Sequence, residues 1–290
     1  MPATVIASRA NPRVKQLRAA FSGNARLSGG LIAIEGETLL QEALRSGLPL
    51  KTIFLSERSE PPPWLPRGVE LLHLADEVFA SAVDTRHPQG IAALLVPPVW
   101  KIEAVTTANP LLLIAIAAGL QDPGNLGTLI RSAEAFAATA VLTTPGTVSP
   151  WNQKALRASA GSVFRVPVVS VTADQLIVLK SQGLRLFAAV APSADGDFHS
   201  HSKAGRGEHI VVPAAEADLA ASCALMIGNE GAGLSADLLA LADVRVAIPT
   251  PGRVESLNAA IAGSLLLYEA SRQRAASQLT TDHPPLPTVL

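Results

Sequence analysis

The feature that most constrains the fold is a series of short, mostly apolar segments separated by helical patterns. They lie at residues 111–117, 140–143, 165–169, 184–190, 224–227 and 244–248. A strand that is apolar throughout is buried on both faces, which is typical of a parallel sheet covered by helices. The chain is 48% hydrophobic but only 4% aromatic, which suits close packing of helices on such a sheet. We therefore predict an α/β fold for this part of the chain.

The first third of the chain predicts a second, smaller α/β unit. Its predicted strands are residues 31–34, 51–55, 69–72 and 91–96, and its predicted helices are residues 11–20, 37–45 and 76–83. Prolines and a polar stretch then indicate a linker. The predicted organisation is an N-terminal domain at 1–97, a linker at 98–110, a C-terminal domain at 111–276 and a disordered tail at 277–290.

Cysteine content and hydropathy exclude several classes of protein. The single cysteine, Cys223, excludes an intrachain disulfide and a cysteine-based metal cluster. The longest apolar run, residues 110–120, is shorter than the ~18 residues that a membrane span requires. No signal sequence opens the chain. We expect a cytoplasmic protein that does not bind a membrane.

The charge pattern leaves two interpretations of the N-terminus open. The net charge of −1 counts against an RNA-binding protein, because such proteins are often basic. However, the first 26 residues contain no acidic residue and five basic ones, Arg9, Arg13, Lys15, Arg18 and Arg26. This run is either a solvated terminus or an RNA-binding surface.

The first segment that points to chemistry is Q-D-P-G-N-L-G-T-L-I-R, residues 121–131. It follows a predicted strand and enters a predicted helix. Asn125 is of a type that caps helices, and Arg131 is placed to pair with Glu134 one turn later. Each residue alone therefore has a purely structural interpretation beside a functional one.

The second segment, M-I-G-N-E-G-A-G-L-S at residues 226–235, is a glycine-rich turn after a strand. Such a turn allows close approach of the backbone to a ligand, but it is equally a tight strand-to-helix connection. Its glycines do not have the G-x-G-x-x-G order of dinucleotide binders, and no Walker-type lysine follows.

The third segment, I-P-T-P-G-R-V-E-S-L-N at residues 248–258, is an irregular turn after a strand. A helix is predicted to begin near Ser256, which is a good N-cap residue. Its predicted apolar face is Leu257, Ala260, Ile261, Ser264, Leu265 and Tyr268. Small residues at 259–263 make this helix slim, so that another helix or subunit can approach closely.

A polar stretch at residues 191–209 is predicted to be an exposed insertion. It contains Asp195, Asp197, His199, His201 and His209. Their spacing matches no standard metal site, so we expect a solvated loop and no bound metal.

Taken together, the three segments resemble motifs 1, 2 and 3 of the SpoU (TrmH) family, in the SPOUT superfamily of RNA methyltransferases. The shared patterns are N-L-G-x-x-x-R, G-N-E-G-x-G-L-S and I-P-x-x-G-x-V-E-S-L-N, in that order. Residues 154–167 also fit the family. The N-terminal part resembles the substrate-binding domain of many members, through A-I-E-G-E at 33–37 and H-P-Q-G-I-A at 87–92.

The resemblance implies a fold, a cofactor and an assembly. The C-terminal domain would form a trefoil knot and bind S-adenosylmethionine (AdoMet), and the protein would be a homodimer with the third-motif helix near the interface. The cofactor would be held largely by the main chain at Gly228, Ile248 and Leu257.

The resemblance also implies a reaction, the methylation of a ribose 2′-hydroxyl in structured RNA. The residues that carry it would be Asn125, Arg131, Glu230, Ser256 and Asn258. A guanidinium is a poor base, so Arg131 is better suited to hold phosphate and stabilise developing negative charge. Ribosomal RNA is the expected substrate, by analogy with members that have a separate N-terminal domain.

Three alternatives stay open at this point. The substrate could be transfer RNA. The chain could be a non-catalytic RNA-binding assembly factor on the same scaffold, although such a protein would be free to lose the five polar residues of the motifs. A different nucleotide-binding α/β enzyme is disfavoured by the missing G-x-G-x-x-G and Walker patterns.

Overall fold

The computed structural model describes residues 4–23, 25–192, 211–254 and 256–282. The described residues up to 99 form strands and helices in alternation. The strands are β1 (Val5–Ile6), β2 (Ile32–Glu35), β3 (Leu50–Ser56), β4 (Glu70–Leu74) and β5 (Ile91–Leu95). The helices are α1 (Pro12–Phe21), α2 (Ala25–Ser28), α3 (Glu37–Arg45) and α4 (Asp76–Ala82).

The rest of the chain continues the alternation of strands and helices. Its strands are β6 (Leu113–Ala117), β7 (Ala140–Thr143), β8 (Val168–Ser170), β9 (Arg185–Val190), β10 (Val211–Pro213), β11 (Cys223–Ile227) and β12 (Val244–Ala247). Its helices are α5 (Ile102–Ala108), α6 (Pro123–Ala135), α7 (Gln153–Ser159), α8 (Ala173–Ser181), α9 (Ala236–Leu241) and α10 (Ala259–Asp282), and a 3₁₀ turn covers Ser162–Phe164.

The chain divides into two compact units. The first comprises Met1–Val99 together with Ser149–Arg165, and the second comprises Trp100–Val148 and Val166–Leu290. The segment 149–165, which the sequence analysis placed within the C-terminal domain, thus packs with the first unit. The predicted domains were continuous stretches of sequence, and no sequence pattern indicated that this segment packs with the first unit.

The first unit is built on a five-stranded mixed sheet with the order β1-β4-β3-β5-β2. Strand β5 runs antiparallel to β2 and β3, and the pairs β1–β4 and β3–β4 are parallel. Helices α1 and α4 cover one face through a core that contains Val14, Leu17, Phe54 and Phe79. At the end of β2, the buried Glu35 accepts hydrogen bonds from the Thr85 hydroxyl and the Gln89 backbone N–H.

The second unit is built on a seven-stranded sheet with the order β10-β12-β9-β11-β6-β7-β8, in which every pair is parallel. This confirms the predicted parallel sheet. The chain moves outward from β6 to β8 and then returns to the other side of β6. In such sheets the carboxyl ends of the strands at the reversal point form the usual ligand crevice.

Alternate residues of the strands point to opposite faces of the sheet, and a layer of helices covers each face. Ile114 and Ile116 point into a core with α5, α8 and α9. Helices α6 and α10 pack against each other and on strands β6 and β11. Gly263 of α10 allows this close packing, because an added Cβ would lie 2.6 Å from Leu129 Cδ1 of α6.

The structure and the predictions differ mainly at short elements. Strands β1 and β10 have two and three residues, too few for a periodicity signal. Part of the predicted linker is helix α5, because Ile102 and Val105 are buried in the core of the second unit. Helix α10 runs to Asp282, beyond the predicted start of a tail at 277, and residues 283–290 lie outside the described residues. The trefoil knot stays a prediction.

None of the helices in the described residues combines the length and apolar character that a membrane span requires.

Candidate active site

A cavity of about 520 Å³ opens at the carboxyl ends of β9, β11 and β12 in the second unit. Three loops line it, the ones that follow these strands. Six residues proposed from the sequence or its motifs lie in its wall: Gly228, Glu230, Ile248, Ser256, Leu257 and Asn258. The structure therefore brings all three expected cofactor-binding positions to one cavity.

The glycine at position 228 is required by a close crossing of the backbone. A Cβ added to Gly228 would lie 2.4 Å from the Gly233 carbonyl carbon and 2.5 Å from the Leu234 nitrogen. The loop closes on itself through backbone hydrogen bonds between Asn229 and Gly233, at 2.9 and 3.0 Å. Real Cβ atoms do not approach backbone atoms so closely, so every other residue would displace this wall of the cavity.

Asn229 ties the glycine-rich loop to the neighbouring strand. Its Nδ2 donates to the Gly119 carbonyl at 2.9 Å, and its Oδ1 accepts from the backbone N–H groups of Gly231 and Ala232. On the other side, the Gly119 N–H donates to Thr147 Oγ1 at 3.0 Å. Neither Asn229 nor Thr147 was predicted from the sequence; the signal for Asn229 was its place inside the G-N-E-G motif.

One residue from each motif joins a hydrogen-bonded chain. Asn258 Nδ2 donates to Asn125 Oδ1 at 3.0 Å, and Asn125 Nδ2 donates to Glu230 Oε1 at 2.7 Å. Asn125 is more than 100 residues from both Glu230 and Asn258 in sequence, so these contacts exist only in the folded protein. The polar atoms of these side chains form hydrogen bonds with one another, and these bonds fix the loops around the cavity.

The same hydrogen bonds keep Glu230 charged. Burial raises the pKa of Glu230, but hydrogen bonds from the Asn125 side chain and from the backbone N–H groups of Glu230, Gln121 and Asp122 lower it. The combined effect of these hydrogen bonds exceeds the effect of burial, so the pKa of Glu230 lies below its ordinary value of 4.5.

Two helix caps differ from those considered on the sequence. The side chain of Asp122, and not Asn125, caps α6 by accepting from the Asn125 N–H at 2.9 Å. At α10 the capping side chain is Asn258, which accepts from Ala260 N–H, and the predicted start near Ser256 is two to three residues early. The turn formed by the prolines at 249 and 251 continues further than the sequence indicated.

Arg131 lies on α6, off the buried stripe of the helix, and its side chain is exposed. It is not among the residues that line the cavity. Within the described ranges no hydrogen bond or ion pair engages its guanidinium, which leaves it available to a ligand from solvent.

The predicted basic N-terminus divides into structural and exposed residues. Arg13 pairs with Glu70 at 3.0 Å, and Arg18 donates to the carbonyl and hydroxyl oxygens of Ser81. Arg9 and Lys15 are exposed. The side chain of Arg26 lies outside the described residues, so only two of the five predicted RNA-binding side chains are placed freely on the surface.

The predicted apolar face of α10 is largely exposed. Ile261, Leu265 and Tyr268 retain 51%, 42% and 52% of their accessible surface. The face that packs on α6 and β11 contains Gly263, Leu266 and Leu267, and Ala260 is a member of the predicted face that is buried with them. The small residues of this helix therefore serve packing within the unit, and Ile261, Leu265 and Tyr268 form an exposed stripe, of which Tyr268 also contacts the ring of Phe136.

The aspartates and histidines of the 191–209 stretch lie outside the described residues. Among the residues that are described, no group of three histidine, cysteine or acidic side chains could hold a metal ion.

The fold and the site define a two-unit α/β protein with a cofactor-sized cavity at the carboxyl edge of a parallel sheet. The chain matches the SpoU rRNA Methylase family over residues 112–268 and an MRM3-like substrate binding domain over residues 11–93. It is 34% identical to the Bacillus subtilis 23S rRNA (guanosine(2553)-2'-O)-methyltransferase RlmP, over 91% of this chain and 97% of that protein. The chain belongs to the SpoU rRNA methylase family, as predicted.

Solved structures agree with this assignment. The SpoU methyltransferase AviRb from Streptomyces viridochromogenes, in complex with the cofactor AdoMet, superposes with a TM-score of 0.75 at 27% identity, over 92% of this chain and 99% of that one. The AdoMet-bound rRNA methyltransferase from Sinorhizobium meliloti has a TM-score of 0.75 at 26% identity, over 93% and 98% of the two chains. The predicted α/β fold is confirmed.

Proposed function

We propose that this protein transfers a methyl group from AdoMet to a ribose 2′-hydroxyl of ribosomal RNA. The observation that carries the proposal is that the second and third motif loops line one cavity, with Gly228, Ile248 and Leu257 in its wall, and that Asn125 of the first motif is hydrogen-bonded to Glu230 and Asn258. Relatives named as rRNA 2′-O-methyltransferases and AdoMet-bound structures of the same fold support it. A cytoplasmic location is part of the proposal.

The cavity suits a cofactor with an apolar ring and a polar tail. Its volume of about 520 Å³ falls within the range of small-molecule sites. Ile248, Leu257 and Leu266 supply apolar surface for a base, while the backbone of the 228–233 loop supplies N–H and carbonyl groups. Bound AdoMet would supply an electrophilic methyl group on a sulfonium centre.

Arg131 would act on the RNA. Its exposed guanidinium can hold a phosphate beside the target ribose and stabilise negative charge on the 2′-oxygen as its proton is lost. A guanidinium is a poor base, so Arg131 does not act as the base in this proposal.

The other motif residues would position the reaction. Asn125, Glu230 and Asn258 fix the loops through their shared hydrogen bonds, and Ser256 lies in the cavity wall with an exposed hydroxyl. Held reactants react faster, because positioning supplies up to ~7–11 kcal/mol of barrier reduction in the best cases.

The experiment uses unmodified 23S rRNA transcribed in vitro and AdoMet labelled in its methyl group. The expected result is label in RNA that survives alkaline hydrolysis as a dinucleotide, because a 2′-O-methyl group blocks cleavage at that position. Transcribed transfer RNA serves as the comparison substrate. Binding of RNA without any transfer of label would favour the non-catalytic assembly factor instead.

A homodimer is the assembly we propose, through the exposed stripe of Ile261, Leu265 and Tyr268 on α10. An apolar stripe of this kind on a helix marks an interaction surface. Light scattering of the wild type should give twice the chain mass of 30.0 kDa, and an Ile261→Asp/Leu265→Asp variant should give a single chain. A monomeric wild type would contradict the proposed homodimer.

A further inference from the structure

The two units carry net charges of opposite sign. The first unit contains 13 basic and nine acidic residues, a net charge of +4. The second contains ten basic and 15 acidic residues, a net charge of −5. An RNA backbone is polyanionic, so on charge the first unit is the one suited to contact it.

Most of the positive excess in the first unit comes from the segment 149–165. Residues 1–99 alone contain ten basic and nine acidic residues, a net charge of +1. The segment 149–165 adds Lys154, Arg157 and Arg165 and no acidic residue.

Specific contacts hold this segment on the first unit. The buried Gln153 donates from Nε2 to the Ala33 carbonyl of β2 at 2.9 Å. Arg165 pairs with Glu42 of α3 at 2.7 Å and donates to Ser46 Oγ. Gly161 packs so closely that an added Cβ would lie 2.6 Å from Glu42 Cβ. Both ends of the segment are thus fixed to the substrate-binding unit.

The outward face of α7 is basic. Gln153, Ala155, Leu156 and Ser159 are buried, whereas Lys154 and Arg157 are exposed. At a spacing of three residues, Lys154 and Arg157 lie on neighbouring positions of the same helix face. Within the described part of the chain, no carboxylate pairs with Arg157.

We propose that the exposed face of α7, carrying Lys154 and Arg157, binds phosphates of the RNA substrate. The inference rests on the proposed function, because it names a contact surface for the RNA that the enzyme methylates. It assigns to the RNA-binding unit a segment that lies in sequence inside the methylase family match.

The test compares two double variants with the same change of charge. Lys154→Ala/Arg157→Ala removes the proposed contact, and Lys51→Ala/Arg67→Ala removes two exposed basic side chains elsewhere on the first unit. Affinity for transcribed 23S rRNA is measured by filter binding at several salt concentrations. The α7 variant should bind about tenfold more weakly, with the salt slope reduced by about two, and the control should stay within about twofold of wild type.

Equal affinity of the two double variants would overturn the proposal, whether both bind like wild type or both are weakened. A charge-retaining variant, Lys154→Arg/Arg157→Lys, should keep wild-type affinity and salt slope; weak binding by it would contradict phosphate binding. AdoMet titration by calorimetry should be unchanged in all variants. A wild type that binds no AdoMet and transfers no methyl group would refute the proposed function, while the RNA titration would still decide the role of α7.

Discussion

The first and second units place their charged and polar groups in contrasting ways. In the second unit, polar side chains from three loops form hydrogen bonds with one another around a cavity. The net charge of this unit is −5. In the first unit, the buried carboxylate of Glu35 holds a loop from inside, while basic side chains of α7 face outward and the unit is net positive at +4.

This contrast shows why the net charge of the whole chain is misleading. A value of −1 counted against an RNA-binding protein, yet it is the sum of the charges of two units with opposite signs. Electrostatic attraction to RNA acts over about a Debye length, ~8 Å at physiological salt, so the charge of the local surface decides binding. The contrast also predicts that chemistry and RNA affinity can be altered separately.

The largest effect is expected from Arg131→Ala in the second unit. Loss of a group that stabilises transition-state charge lowers the rate of a single turnover by about 100- to 1,000-fold. AdoMet affinity should not change, because Arg131 does not line the cavity. Thr128→Ala, an exposed position on the same helix, is the control and should keep wild-type activity. Full activity of Arg131→Ala would remove the role assigned to this side chain.

Gly228→Ala should weaken AdoMet binding by about ten- to 100-fold, because overpacking costs about 1–3 kcal/mol. The new Cβ would meet Gly233 and Leu234, so the loop must shift into the cavity or away from it. The matched control is Gly252→Ala, where a Cβ meets no atom within 4 Å. Calorimetry measures both. RNA affinity should be unchanged in both variants, and a parallel loss of RNA binding would break the separation between the units.

Glu35→Gln tests the first unit in the same way. The glutamine keeps the size of the side chain but turns an N–H group toward the donors on Thr85 and Gln89, so about 1–3 kcal/mol of stability should be lost. Glu37→Gln, two residues away and exposed, should change stability by less than about 0.5 kcal/mol. Urea unfolding measures the free energies. Equal stability of the two variants would mean that the buried carboxylate does not hold the loop.

Regular elements were predictable because their signals are local. Strand β7 and helix α3 were placed within their observed limits, since each is bounded by turn residues and has a clear pattern of apolar residues. In α6, Leu126, Leu129 and Ile130 have the three- and four-residue spacing of an amphipathic helix, and they are buried. The site positions came from motif resemblance, and the meeting of Gly228, Ile248 and Leu257 at one cavity could not be read from spacing.

The features that were not predicted depend on contacts between residues that are far apart in sequence. The cap of α10 is Asn258 and not Ser256, because the prolines keep the chain irregular up to the residue that also reaches Asn125. The position of α7 on the first unit depends on Gln153 meeting a free carbonyl of β2, an edge strand. The exposed stripe on α10 was predicted only as an apolar face, since apolar periodicity does not tell a core from an interface.

The smallest effect is a pH dependence that belongs to Glu230. A carboxyl group with a lowered pKa stabilises the fold fully above its ordinary pKa of 4.5, and this contribution is lost as the pH falls through the lowered value. Glu42, beside Arg165, and Glu269, beside Arg272, also have lowered pKa values, so the whole protein loses stability over the same range.

Glu230→Gln isolates the contribution of this one group. The difference in unfolding free energy between wild type and variant should be constant from pH 7 to pH 5 and should shrink as the pH falls below 4.5. Because the side chain is partly exposed, the difference should stay below about 1 kcal/mol. The same titration on Glu42→Gln measures the corresponding group of the first unit. The stability curves of wild type and Glu230→Gln could instead run parallel down to pH 3. That result would show that the charge of Glu230 gains no stabilisation from Asn125 and the neighbouring N–H groups, and it would contradict a role for this charge in joining the three loops.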